Sequence, residues 1–192
     1  ARRWVPWLCA YTGARVNEIT QLRAADVVFE RVPDGRRICM LNLTPEAGTT
    51  KNREARKVSL HLDLIDQGFL HYVESRKGKC LFYAPERGKG GSAANPQYKK
   101  VGERLARWVR RDVGIDDLGI DPNHAWRHLF RSCLLAGHVQ GEVIDRIDGH
   151  APATVGQSYG SAWPAVMLEA VMTIPPYLSK NTDIRLSSAR QP

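Results

Sequence analysis

Two hydrophobic periods alternate along the chain, and they divide it into helical and extended stretches. Between 15 and 24, Val16, Ile19 and Leu22 recur at helical spacing, so one face of that helix can lie on a core. An apolar helix-like stretch at 3–11 precedes it, and Thr12-Gly13 separates the two. The period then shortens. Residues 27–30 and 36–43 read as strands around the turn signal Pro33-Asp34-Gly35, and 54–60 reads as a third strand. A polar tip, TPEAGTTKN, lies between the last two. Leu62, Ile65, Phe69, Tyr72 and Val73 share a face, so one amphipathic helix is expected over 62–76.

Helical patterns fill the remainder. ERGKGGSAANPQ is rich in Gly and Ser and reads as a mobile loop. A basic helix is expected at 98–111. Asp121-Pro122 looks like the cap and first turn of a helix running to about Gly137. Further helices are expected near 141–148, 152–159 and 163–172, before Pro175-Pro176 interrupts the pattern. No repeat of fixed period is visible. The expected fold class is mainly α with a small antiparallel β-sheet (α+β). The 192 residues suffice for one domain with a sizeable core, expected over 1–175, with 176–192 as a flexible or partner-bound tail.

Charge adds a partner class. Lys and Arg number 28 against 20 Asp and Glu, for a formal net charge of +8. That surplus favours a polyanion, nucleic acid first, although an ordinary basic protein fits charge alone equally well. No stretch is long and apolar enough to span a membrane. Arg2 and Arg3 precede only the short run WVPWLCAYTG, which is no secretory signal. Cys9, Cys39, Cys80 and Cys133 are far apart with no CxxC pair. They read as reduced, mostly buried thiols of an intracellular protein, which places it in the cytoplasm, or with the nucleoid if bacterial.

Three short motifs carry the candidate chemistry. YTGARVNEITQLRAADV contains Arg15, HAWRHLF contains His124 and Arg127, and DGHAPATVGQSYG contains His150 and, nine positions later, Tyr159. Two arginines, two histidines and a tyrosine, without an acidic cluster for a metal, suit covalent attack on a phosphodiester. The guanidinium fork matches two phosphate oxygens, and a tyrosine can hold a broken strand as an ester. Each motif alone is weak, but their order and gaps together are specific. The spacing of His124 and His128 also raises zinc. No Glu follows the first His, where Ala125 and Trp126 stand, and no third ligand is obvious. His128 is therefore expected inside the fold, and no metal or other cofactor is expected.

The motifs resemble the catalytic domain of the tyrosine recombinases, the phage integrase and Xer family, from about residue 8 to about 172. The resemblance implies a site-specific recombinase or integrase that cuts and rejoins double-stranded DNA through a 3′-phosphotyrosyl intermediate. Arg15 and Arg127 grip the phosphate, His124 hydrogen-bonds it or takes the tyrosine proton, and His150 donates a further hydrogen bond. Tyr159 is the nucleophile. The family's general-acid lysine sits on a β-hairpin tip. TTKNREARKVSL resembles that hairpin and puts Lys51 in the role, with Lys57 as the alternative. Asn52 and Ser59 depart from the family's usual Thr and Pro there. Glu18 matches the Glu that orients the first arginine, against an exposed helix charge as the plain reading. Arg131 reads as a backbone-contacting or structural residue.

The resemblance further implies a homo-oligomer, a tetramer on DNA, whose accessory proteins the sequence does not identify. The family's N-terminal helical DNA-binding domain has no counterpart in this chain. The apolar stripe Val166, Met167, Ala170 and Val171 either packs within the chain or passes to a neighbouring protomer, as it often does in the family. Type IB topoisomerases and telomere resolvases share the chemistry. The rival of another class is a DNA-binding module that has lost catalysis, and the intact residue set argues against it.

Overall fold

The computed structural model of the chain describes residues 1–47, 55–87, 92, 95–150 and 164–177. In order, its elements are α1 (Val5–Thr12), α2 (Val16–Thr20), β1 (Val27–Arg31), β2 (Arg37–Leu43), β3 (Arg56–Ser59), α3 (Leu62–Asp66), α4 (Phe69–Ser75), α5 (Gln97–Arg111), α6 (Ala125–Ala136), α7 (Gly141–Asp148) and α8 (Pro164–Met172). The fold is thus mostly helical with a small antiparallel sheet, as the alternating periods require. The helix expected at 152–159 and half of the Gly- and Ser-rich loop lie outside the described residues.

α1 is apolar nearly all round, with Pro6 in its first turn, and such a helix belongs at the centre. Val5, Leu8, Cys9 and Tyr11 are fully buried, and the helix packs against α6. α2 lies against α5. On α5, Tyr98, Val101, Leu105 and Val109 face inward at helical spacing, while its arginines end the helix outside.

The strands run in the order β1-β2-β3, all antiparallel, with Val27 opposite Leu41 and Leu41 opposite Val58. β2 is buried on both faces, because its run ICMLNL offers apolar side chains in both directions. Cys39, Leu41 and Leu43 join the main core. Ile38 and Met40 point the other way, where Ala165, Met167 and Leu168 of α8 cover them. Ser59 Oγ donates to Pro164 O at 2.8 Å, and the His61 Nε2 hydrogen donates to Ile174 O at 2.9 Å. α8 is therefore packed on its own chain. Tyr177 continues that packing, with its ring 4.8 Å from Tyr11 and 5.7 Å from Trp7, centroid to centroid.

Several boundaries differ from the sequence pattern for physical reasons. The helix expected over 62–76 is two helices, broken at Gly68, whose φ of 88° is left-handed. The break resets the helical phase, so Leu62 is 46% exposed while Leu64 and Phe69 are buried. α6 begins at Ala125 rather than near Asp121. Asp121 instead closes a turn before it, accepting from Asn123 N through its side chain and from Ala125 N through its carbonyl. α2 ends after five residues. The backbone N–H of Arg15, the residue that caps it, is taken by Glu18 Oε2 at 2.8 Å. No helix among the described residues is long and apolar enough to cross a membrane.

Candidate active site

The cation cluster is built around the end of α1. Gly13 caps that helix with φ 63°, its N–H bonding Cys9 O at 2.9 Å. A Cβ at this position would lie 2.3 Å from Phe130 Cδ1 and 3.0 Å from Asp148 Cβ, so only glycine fits. The buried carbonyl of this cap accepts from Arg127 Nη1 at 2.7 Å. Arg127 comes from the first turn of α6, and the same Nη1 also donates to Asp148 O. Its Nη2 lies 3.2 Å from Asp148 Oδ1. Burial lowers the pKa of this guanidinium, with the Asp148 carboxylate opposing the shift. It stays charged, because an arginine begins so far above neutrality.

Asp148 ends α7 and is fully buried. Gly149 follows it in the left-handed conformation, and both Gly149 N and His150 N bond Asp145 O at 2.9 Å. That closure turns His150 back over Asp148. The His150 ring Nδ1 is 2.7 Å from Asp148 Oδ1, 3.0 Å from Arg127 Nη2 and 3.1 Å from Arg131 Nη1. One ring nitrogen cannot both donate to a carboxylate and accept from a guanidinium. The carboxylate contact is the shortest, so Nδ1–H is assigned as its donor and the arginines as co-partners of the same acid. In that tautomer Nε2 is the ring's proton-accepting nitrogen, on a residue that is exposed.

Arg131 pairs with Asp145 at 2.8 Å and with Asp148 Oδ2 at 2.6 Å, which makes it a structural counter-ion. The ligand atoms of Asp145, Asp148 and His150 lie within 4.8 Å of one another. Arg131 already occupies the place between the two carboxylates, so the donor set does not suit a metal ion.

Arg15 precedes α2, and Glu18 in the first turn reaches back to it. The Arg15 Nη1 to Glu18 Oε1 distance is 3.3 Å. Glu18 is only 2% exposed, which removes the reading of a solvated helix charge. Burial would push its carboxyl up, but hydrogen bonds and charge from Arg56, then from Arg15, hold it below the usual range.

His124 sits at the start of α6, exposed, its ring edge-on to His128 with centroids 4.8 Å apart. Burial and the positive charges of His128 and Arg127 lower its pKa, and Arg15 adds to the effect. At neutral pH it is an uncharged imidazole within electrostatic reach of both arginines. His128, expected inside the fold, is exposed instead. The inward face of α6 is carried by Arg127, Phe130 and Leu134, and His128 falls off that stripe.

Arg15, His124, Arg127 and His150 are thus brought to one region by α2, α6 and the end of α7. Lys51 and Tyr159 lie outside the described residues. Lys57, the alternative lysine, pairs with Glu30 on β1. Asp148 and Arg56 are members of the cluster that the motifs did not indicate. Arg56, the first residue of β3, forks onto Glu18 at 2.9 and 2.8 Å and donates through Nε to Ile147 O at 3.1 Å. Asp148 was legible only as a carboxylate two residues before His150. Arg56 carried no signal beyond its place in the returning strand.

No protein-family model matches the sequence, and no curated protein sequence matches it significantly. Among solved structures, the chain is similar to the integrase from mycobacterium phage Brujita, with a TM-score of 0.62 and 19% identity. The similarity covers 95% of this chain and 54% of that one, so the chain spans about half of that integrase's length. At this identity the likeness speaks for the fold alone, and the helices and three-stranded sheet described above form an integrase-like α+β fold.

Proposed function

We propose that this chain is the strand-transfer domain of a DNA recombinase or integrase of the tyrosine type, extending over about 1–175 and acting on double-stranded DNA in the cytoplasm. The observation that carries this reading is the gathering of Arg15, His124, Arg127 and His150 around two buried carboxylates, within an integrase-like fold. Fold alone would not decide chemistry. A preorganised cation cluster with a surplus of positive charge suits a phosphodiester whose phosphorus becomes five-coordinate.

In this mechanism the Tyr159 oxygen attacks phosphorus. The bond to the 5′ oxygen breaks, and that oxygen leaves with a proton supplied by Lys51. The phenol proton passes to a histidine, for which neutral His124 and the Nε2 of His150 are the acceptors at hand. A 3′-phosphotyrosyl ester results. A 5′ hydroxyl from a second strand then attacks the ester, rejoins the DNA and returns the phenol. Arg15 and Arg127 stabilise the charge on the non-bridging oxygens. The ester conserves the bond energy, so the cycle needs no nucleotide. Assembly as a tetramer would bring two duplexes together.

The deciding experiment traps the protein on a nicked suicide duplex carrying its site and locates the modification by mass spectrometry. An adduct at Tyr159, lost in Tyr159→Phe, is the expected result. An adduct elsewhere reassigns the nucleophile. Sequence-specific binding without any adduct makes the chain a DNA-binding module.

A further inference from the structure

We propose that Arg56 is a positioning residue whose task is to neutralise Glu18, so that Arg15 keeps its charge and its N–H groups for an anion. The inference rests on the proposed strand-transfer site for the identity of that anion, a DNA phosphate.

Glu18 has two claimants, and they are unequal. Arg56 takes the fork geometry, with Nη1 at 2.9 Å from Oε1 and Nη2 at 2.8 Å from Oε2. Arg15 reaches the carboxylate with its side chain only once, Nη1 to Oε1 at 3.3 Å, and otherwise through its backbone N–H. Bidentate pairing is the strongest arrangement open to a guanidinium and a carboxylate. A buried carboxylate facing Arg15 alone would draw Arg15 into it, cancelling its charge and turning its N–H groups away from solvent. Because Arg56 fills the fork, the Arg15 side chain stays 26% exposed. Two guanidiniums against one carboxylate leave a net positive charge, and it resides on the arginine that is open.

Arg56 cannot be the anion's ligand itself. Its Nε is committed to Ile147 O at 3.1 Å, both terminal nitrogens face Glu18, and the side chain is 14% exposed. Its guanidinium lies against Gly149, where a Cβ would sit 2.8 Å from Cζ. The left-handed glycine beside His150 therefore also makes room for this pairing, which ties β3 to α2 and to the turn after α7.

Charge and shape make different demands, and four proteins separate them: the full chain, Arg56→Met, Arg56→Lys and the double variant Glu18→Gln/Arg56→Met. Two quantities are read, binding of inorganic phosphate by calorimetry and the single-turnover rate of adduct formation on the suicide duplex. Arg56→Met is expected to weaken both by about tenfold or more, the scale of losing a donor aimed at developing charge. Arg56→Lys supplies charge without the fork and is expected to recover much of the loss. The double variant removes the acid that captures Arg15 and is expected to recover phosphate binding. It leaves no unpaired buried charge, so it remains informative if Arg56→Met fails to fold. The proposal is overturned if the double variant binds phosphate no better than Arg56→Met, or, where the single variant does not fold, no better than a Glu18→Gln/Arg56→Met protein also lacking Arg15. It is overturned equally if the unmutated chain binds no phosphate. Adduct formation by the unmutated chain in those cases leaves the strand-transfer reading standing. The expected phosphate pattern without any adduct would keep the arginine device and remove the strand-transfer reading.

Discussion

Gly13→Ala probes the point on which the cation cluster is built. The glycine contributes a left-handed cap to α1, with φ 63°, and a carbonyl that receives Arg127 Nη1 at 2.7 Å. Alanine adds two costs. Left-handed backbone disfavours any Cβ by about 1–2 kcal/mol. The new methyl would also stand 2.3 and 2.7 Å from two Phe130 ring carbons and 3.0 Å from Asp148 Cβ. Phe130 is fully buried and cannot swing out, so relief requires α6 to move, at an overpacking cost of about 1–3 kcal/mol. The sum is about 2–5 kcal/mol, which in a domain of this size lowers Tm by roughly 4–20 °C.

Gly35→Ala is the matched control. Gly35 is also left-handed, with φ 88°, but nothing lies within 4 Å of its would-be Cβ. It should show only the backbone part, about 1–2 kcal/mol. Urea unfolding of the two variants measures the difference directly. Equal losses would mean that α1 and α6 do not meet as closely as described, and the seat assigned to Arg127 would fall with that contact. A larger loss for Gly13→Ala than for Gly35→Ala, with a slower adduct rate, supports both.

The two arginines should separate in their effect on stability. Arg127→Ala leaves the buried Asp148 short of a partner and should cost about 3–5 kcal/mol as well as activity, whereas Arg15→Ala, at a partly exposed site, should unfold near the unmutated protein in urea while still losing adduct formation. Matching urea midpoints for the two would contradict the buried network. Burial pushes the Cys39 thiol up to about 11 and the Cys9 thiol higher still, so brief alkylation at neutral pH should label Cys80 and Cys133 first, as read by peptide mass spectrometry. Glu18 titrates below its unfolded value, so its contribution to stability is fully present above the ordinary glutamate pKa of about 4.3 and is lost as pH falls through its folded value. Glu18→Gln should flatten that acid loss in melting curves, and an unchanged acid limb would show that the carboxylate is not held as its partners require.

How far the sequence could be read depended on the range of each interaction. α5 was legible as a basic helical stretch, and the sheet because its turn signal lies between two short-period runs. The α+β class followed from these local periods. The break at Gly68 was missed because a glycine inside an amphipathic pattern is tolerated as often as it interrupts. His128 was misplaced because the i, i+4 pairing with His124 says only that the two share a face, not that the face is buried. Arg15, Arg127 and His150 were found through short motifs. The groups that hold them in place were not, since Arg56 meets Glu18 across 38 positions and Arg127 meets Gly13 across 114. No local pattern encodes such contacts, and the two-sided burial of β2 likewise depends on α8, far along the chain.

The charges in the cluster are arranged by depth. Its acids, Glu18 and Asp148, are buried, and each is shared among several donors: Arg15 and Arg56 on the first, Arg127, Arg131 and His150 on the second. A buried carboxylate needs partners to remain charged. Giving it more than one satisfies it, and at Glu18, where two guanidiniums face one carboxylate, positive charge is left over on Arg15, the more open of the two. Arg15 and His150 are the more open members of the two sets, and Arg56 and Arg127 the more enclosed. Mutual repulsion among the cations is held in check from below by the acids, so the outward field persists without a mobile ion to maintain it. An entering phosphate diester would meet donors whose positions are already fixed. That condition makes electrostatic stabilisation effective, because little reorganisation is left for the moment at which charge develops.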